Sequence, residues 1–281
     1  MTAVTQAPER TDVPELRVEH VTLRFGGLCA LDDVSFTVRP GSLHALIGPN
    51  GAGKSSCFNV ISGVYRASEG SVRLGDDEIT HLKPHKLAGR GVGRAFQNTA
   101  LSPGSTVLDN VMLGRYALTS GGFIAAGLRM PWTTRAERRH TLRAAEICDF
   151  LGIGGVLHTP VGALPYGEAK RVDIARALAV EPTLLLLDEP AAGMNAMETA
   201  ELAATIREIR EELGISILLV EHDMGLVMGI ADRVTVLDFG QCIADGPPAQ
   251  VQADPNVVRA YLGTGSEDEA DGSENAAEEN A

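Results

Sequence analysis

Apolar and polar residues follow three successive patterns along this chain. Near the start, Leu16-Arg17-Val18-Glu19-His20-Val21 and Val34-Ser35-Phe36-Thr37-Val38 alternate apolar with polar, which predicts half-buried antiparallel strands. Arg39-Pro40-Gly41 predicts a turn, and Ser71-Val72-Arg73-Leu74 before Gly75-Asp76-Asp77 predicts an edge strand with its turn. From about Leu101 to Ala179 the strand pattern disappears. Val107 to Leu113 suits a short helix, and Thr134 to Leu151 sets Leu142, Ala145, Ile147, Phe150 and Leu151 among Arg and Glu, an amphipathic helix with a solvated charged face. Strand patterns then return at Thr183–Asp188, Ile215–Val220 and Val234–Leu237, separated by helical stretches at Met197–Leu213, stopped by Gly214, and at Asp223–Ile230. Strands alternating with helices predict an α/β fold with a mainly parallel sheet. An N-terminal antiparallel β layer precedes that core, and an α-helical subdomain, roughly 98–179, is inserted into it.

The strongest chemistry lies in the first α/β turn. Leu43-His44-Ala45-Leu46-Ile47 reads as a buried strand, and Ser56 to Gly63 as a helix ending at glycine. Between them Gly48-Pro49-Asn50-Gly51-Ala52-Gly53-Lys54-Ser55 fits G-x-x-x-x-G-K-[ST]. Glycines let backbone wrap a phosphate, and N–H groups here and at the helix start, through Ser56, point at the anion. Lys54 reaches the β and γ phosphates and the Ser55 hydroxyl ligates Mg²⁺. The alternative, a glycine-rich turn with an accidental Lys-Ser, does not account for loop, flanks and register agreeing. The chain therefore reads as a P-loop binder of a nucleoside triphosphate.

Composition narrows the class. No apolar run reaches the ~18–20 residues of a membrane span; the nearest, Tyr116 to Trp132, is interrupted by glycines, Arg129 and Pro131. The polar N-terminus does not resemble a signal peptide, and residues 1–14 read as a flexible leader. Cys29, Cys57, Cys148 and Cys242 are scattered without metal-ligand spacing and read as reduced, mostly buried thiols. The net charge of −13 is uneven: residues 264–281 hold seven acids and no Lys or Arg. That tail reads as disordered and solubilising, with a docking segment as the alternative. The remaining body, 15–263, is mildly acidic, which argues against nucleic acid as a partner.

A second set of residues suits hydrolysis. Four leucines end in Asp188-Glu189, and two acids closing a buried strand are costly without a nearby cation. Beside a phosphate loop, Asp188 suits Mg²⁺ and Glu189 suits polarising a water toward the γ-phosphate; capping of the next helix is the bland alternative. Gln97, before the helical insertion, and His222, after Ile215–Val220, stand where γ-phosphate sensors would. Taken singly each reads as structural, but placement at strand ends beside the loop favours function.

Taken together, the phosphate loop, Gln97, Leu164-Pro165-Tyr166-Gly167-Glu168, Leu-Leu-Leu-Leu-Asp188-Glu189-Pro190 and His222 resemble, in order, the ATP-binding subunit of ABC transporters. Arg24-Phe25-Gly26-Gly27, Arg94-Ala95-Phe96-Gln97, Glu189-Pro190-Ala191-Ala192-Gly193-Met194-Asn195, Glu221-His222-Asp223-Met224 and Arg259-Ala260-Tyr261-Leu262-Gly263 resemble the branched-chain amino acid importers, the LivG type. The resemblance spans roughly Leu16 to Leu262. It implies an ATPase that uses ATP and Mg²⁺ at the cytoplasmic face of the cell membrane. Phe25 would stack on adenine, Gln97 would touch Mg²⁺ or the lytic water, and His222 would contact the γ-phosphate. The Leu164–Glu168 segment would serve ATP held by a second ATP-binding subunit in a head-to-tail dimer, and Asn195 is a further nucleotide-binding candidate. Permease subunits and an external solute-binding protein would complete the importer. Export, lipid extraction or a soluble ATP-driven switch are the alternatives.

Departures from the general family pattern matter most at Pro165, which stands where that pattern has a serine and offers neither hydroxyl nor N–H. Proline suits a helix start, and the N–H groups of Tyr166 and Gly167 would still face the anion. Glu168 adds negative charge, with Lys170 and Arg171 expected to offset it. Asn195 matches the branched-chain subgroup, and Ser55 keeps the metal hydroxyl. The site completed by this segment is therefore expected to be weakened but active. Tyr116 to Trp132 reads as a surface loop, with a permease-facing insertion as the alternative.

Overall fold

The computed structural model describes residues 13–95, 101–118 and 131–263. Strands β1 (Leu16–Phe25) and β2 (Leu28–Val38) pair antiparallel, Leu16 facing Val38 and Val18 facing Phe36. Their inward-facing apolar residues are buried, as alternation requires. β3 (Leu43–Ile47) is buried throughout and leads through the glycine loop into α1 (Lys54–Ile61), which begins two residues before the predicted helix. β4 (Glu69–Leu74) adds to the free side of β1, and the two-residue β5 (Asp77–Glu78) borders β4. The predicted edge strand is therefore internal, because β5 covers it. After α2 (Pro84–Ala88) comes β6 (Val92–Ala95), a strand the apolar pattern did not signal.

The middle of the chain is helical where it is described. α3 (Val107–Arg115) opens with a capping box in which Thr106 and Asp109 satisfy each other's backbone N–H. α4 (Pro131–Phe150) and α5 (Tyr166–Leu178) follow. At Gly114 a Cβ would lie 2.2 Å from the Arg176 carbonyl oxygen, so α3 and α5 are in near-backbone contact. Buried Arg115 binds the Ala179 carbonyl at 3.0 Å and Glu181 at 2.9 Å, fixing α3 to the chain that follows α5. The Leu164–Glu168 segment sits at the N-terminal end of α5.

The last third builds the central sheet. β7 (Leu184–Asp188), α6 (Ala196–Leu213), β8 (Ser216–Val220), α7 (Met224–Ile230), β9 (Arg233–Asp238) and β10 (Gln241–Gly246) precede α8 (Pro248–Gln252) and α9 (Pro255–Gly263). The strand order is β10-β9-β3-β8-β7-β6, parallel except for the β9–β10 hairpin. Leu46 and Asp188 both face Val220, so the carboxyl ends of β3, β7 and β8 lie side by side. Ligands of open α/β sheets bind beyond that edge. Among the described residues no helix is long and apolar enough to cross a membrane. The leader, the acidic tail, Gln97 and most of Tyr116–Trp132 lie outside the described residues.

Candidate functional site

The phosphate loop starts where β3 ends, and its outer glycines are fixed by packing. A Cβ on Gly48 would lie 2.1 Å from the Leu237 carbonyl oxygen, and one on Gly53 (φ +99) would lie 2.8 Å from that of Ala30. Only glycine fits either position. Pro49 and Ala52 are buried under the loop, where the Ala52 carbonyl accepts Gly240 N–H at 3.0 Å, while Asn50, Gly51 and Ser55 face outward. Gly53 caps α1 without a side chain, and the first helical bond is from Cys57 N–H to Gly53 at 2.9 Å. The N–H groups of Lys54, Ser55 and Ser56 are left without an intrahelical partner, as an anion site requires. Lys54 is buried, and its ammonium donates to the Gly48 and Pro49 carbonyls at 2.7 and 2.8 Å. Burial lowers its pKa, with Glu189 opposing. From α9, Tyr261 reaches the Gly48 backbone, and burial pushes its phenol up to about 12.

Asp188 ends β7, only 7% exposed, and its Oδ1 is buried with no hydrogen-bond partner. Burial raises its pKa to about 6; Arg94 and Lys170 oppose this, while Glu189 and Glu221 add to it. An unsatisfied, desolvated carboxylate oxygen fits a cation. Glu189 follows at φ +46, a left-handed conformation costing a non-glycine residue about 1 kcal/mol, and its N–H donates to the Val220 carbonyl at 2.9 Å. The strain and the bond together fix where the Glu189 carboxylate leaves the sheet. His222 Nδ1 lies 3.9 Å from Glu189 and 3.7 Å from Glu221.

Glu221, present in the sequence reading only within a motif, has a structural role of its own. It is fully buried, one carboxylate oxygen accepting Ala191 N–H at 2.8 Å and the other accepting His222 N–H at 3.0 Å. Burial raises its pKa, and those backbone donors oppose the rise. Arg94 was read only as part of a motif. It lies over the Phe58 ring at 4.7 Å and binds Asn59 at 3.0 Å, and its charge acts on Asp188.

The other predicted residues are spread around this centre. Phe25 ends β1, 46% exposed, with Tyr65 edge-on at 5.2 Å. Asn195 caps α6, its side-chain oxygen accepting the N–H groups of Met197 and Glu198 at 3.0 Å each. Leu164 packs on the core, while Pro165 caps α5 with no side-chain bond, and Tyr166 and Gly167 begin it. Of the two cations available to offset Glu168, Arg171 pairs with Glu201 at 2.9 Å, and Lys170 is buried beneath the Tyr166 ring.

Known proteins are similar to this chain in sequence and fold. The model of the ABC transporter family matches residues 31–192, more than half the chain, and that of the branched-chain amino acid ATP-binding cassette transporter matches residues 241–267. The high-affinity branched-chain amino acid transport ATP-binding protein BraF of Pseudomonas aeruginosa is 40% identical over 89% of this chain and 98% of its own length. LivG of Escherichia coli, which carries the same description, is 39% identical over the same shares. The solved structure of MJ1267, an ATP-binding cassette of an ABC transporter in its ADP conformation, superposes with a TM-score of 0.78 at 33% identity, over 89% of this chain and 99% of that one. With a phosphate loop, a buried acid and an adjoining Glu–His pair at the edge of one parallel sheet, the chain belongs to the ABC transporter family, as an ATP-hydrolysing subunit.

Proposed function

We propose that this chain energises import of branched-chain or other amino acids or small polar solutes, working at the cytoplasmic face of the membrane against permease subunits. The observation that carries the hydrolytic part is the convergence of Lys54, Asp188, Glu189 and His222 on the ends of three adjacent strands. The names of BraF and LivG carry the solute class. An external solute-binding protein would deliver the solute, and a second, related ATP-binding subunit would pair with this one.

In this reading Phe25 stacks on adenine, and residues 48–56 wrap the phosphates with backbone N–H groups. Lys54 exchanges its two carbonyl partners for phosphate oxygens. Ser55 and Asp188, with Gln97, would hold Mg²⁺, which neutralises charge on the β and γ phosphates. Glu189 takes a proton from the attacking water, and His222 holds that water and the γ-phosphate in line. The Leu164–Glu168 segment and Asn195 face ATP bound to the partner subunit, and the N–H groups at the start of α5 supply the contact that Pro165 lacks. ATP favours the closed dimer through its γ-phosphate and hydrolysis removes that preference, which is how a ligand shifts a two-state equilibrium.

Glu189→Gln tests the reading in proteoliposomes holding the assembled transporter. Hydrolysis and leucine uptake should fall about a hundredfold or more, as loss of a general base does, while an ATP-bound dimer accumulates. Undiminished hydrolysis would remove Glu189 from the base role, and hydrolysis without uptake of any branched-chain amino acid would remove the solute class.

A further inference from the structure

Tyr166 stands half exposed at the first position of α5, yet its hydroxyl is engaged. It donates to the Ala192 carbonyl at 2.9 Å, in the turn between Glu189 and Asn195. Its ring lies over Gly193, where a Cβ would come within 3.5 Å of it, and the Lys170 ammonium sits 5.5 Å from the ring centre on α5. The residue before Ala192 is held from the opposite side, where Ala191 N–H donates to buried Glu221 at 2.8 Å. The second oxygen of Glu221 accepts His222 N–H at 3.0 Å. Three side chain–backbone hydrogen bonds thus run from the start of α5 to the His222 backbone. The Arg171–Glu201 pair, at 2.9 Å, joins α5 to α6 just beyond that turn.

We propose that Tyr166 is a positioning residue that latches the Leu164–Glu168 segment to the turn carrying this chain's own Glu189, so that the two half-sites on one chain move together. The proposal rests on the reading that Leu164–Glu168 serves the partner's ATP. Within one chain the segment and Glu189 would then belong to different ATP sites, and the Tyr166–Ala192 bond is a physical link between them. When the partner's nucleotide pulls on α5, the pull reaches Ala192, whose neighbour is pinned to Glu221. The adjustment then falls on Glu189 and His222, the groups that align the attacking water.

The test is Tyr166→Phe, which keeps the ring and removes only the hydroxyl, in the assembled transporter in proteoliposomes. The expected result is a fall in kcat of about two- to tenfold, the value of one ordinary hydrogen bond. The Hill coefficient for ATP should fall toward one, and the melting temperature should fall by no more than the few degrees that one hydrogen bond is worth. Glu221→Asp, which draws the carboxylate away from Ala191, should lower the Hill coefficient likewise, and the two losses should not add. Unchanged kcat and Hill coefficient, or additive losses, would each overturn the proposal. Size-exclusion chromatography with ATP separates the two levels of the argument. If Glu189→Gln forms the ATP dimer with and without Tyr166→Phe, the shared-site reading stands and the kinetics alone decide. If Glu189→Gln never dimerises in ATP, that reading fails and the latch with it.

Discussion

His44 offers a quantitative test of how β3 is built, and so of the strand that presents the phosphate loop. It is fully buried in the centre of the sheet, its Nε2 2.7 Å from the Thr235 hydroxyl. Thr235 donates its own proton to Asp245 at 3.0 Å, so it accepts from His44. Burial lowers the His44 pKa from 6.5 to about 4; Arg233 adds to the fall, and Asp245 opposes it. The fold therefore holds the neutral ring. Above pH 6.5 neither folded nor unfolded chain carries this proton, and stability is independent of it. As pH falls from 6.5 toward 4 the unfolded chain takes up the proton and the folded chain does not, so stability is lost at ~1.4 kcal/mol per pH unit. Across that window the loss comes to about 3 kcal/mol. His44→Gln keeps a polar partner for Thr235 and cannot titrate there. Urea unfolding at a series of pH values from 7.5 to about 4 should show the natural protein losing about 3 kcal/mol more than the variant, whatever the variant's stability at neutral pH. Parallel curves for the two proteins would refute the account of His44.

Two further changes probe the nucleotide site. Lys54→Met removes a charge-assisted partner of the phosphates and should weaken ATP binding at least tenfold, or about 1.4 kcal/mol, by equilibrium titration; unchanged affinity would take Lys54 out of phosphate contact. Pro165→Ser restores a hydroxyl at the cap of α5 and should raise ATP turnover of the assembled transporter. Unchanged turnover would mean that the missing hydroxyl is irrelevant.

The sequence disclosed what depends on neighbours in the chain and concealed what depends on packing. Gly48–Ser55 and Asp188-Glu189 were legible because the chemistry needs consecutive residues at a strand end. The end of α6 was legible for the same reason, since Gly214 acts on the adjoining turn, whereas Asp223, read as the first helical residue, is the cap of α7. β6 was not, and Gly93 shows why. A Cβ there would lie 2.5 Å from the Ala177 carbonyl oxygen of α5, so closeness of the helix dictates glycine inside a strand, and Val-Gly-Arg-Ala carries no apolar run. β4 was misplaced at an edge because what covers it is a two-residue strand that no periodicity can announce. The role of Glu221 was hidden because its partner Ala191 is 30 residues distant, and a buried carboxylate is understood only when its donors are known. Phe25 was singled out only through family resemblance, and its solvent-facing ring beside Tyr65 gives that resemblance a physical basis.

The turn from Glu189 to Asn195 ties the end of β7 to the starts of both α5 and α6. Its first residue is strained at φ +46 and bonded to β8, so Glu189 cannot drift from its place beside His222. Its last residue is locked into the cap of α6 through a reciprocal bond with Glu198, at 2.9 and 3.0 Å. Between these anchors Ala191 is tied to the core by Glu221, and Ala192 is tied to α5 by Tyr166. A segment so short with four separate attachments has little freedom to absorb displacement. A shift of the α5 end must therefore break the Tyr166 contact or move Glu189, and the weakest attachment decides which. Glu221 is fully buried whereas Tyr166 and Asn195 are both exposed, so the core attachment is the firm one and the two at the helix starts are the ones open to displacement. On the proposed reading, Pro165 removes one contact to the partner's phosphate without cutting this route, because the route begins one residue later, at Tyr166.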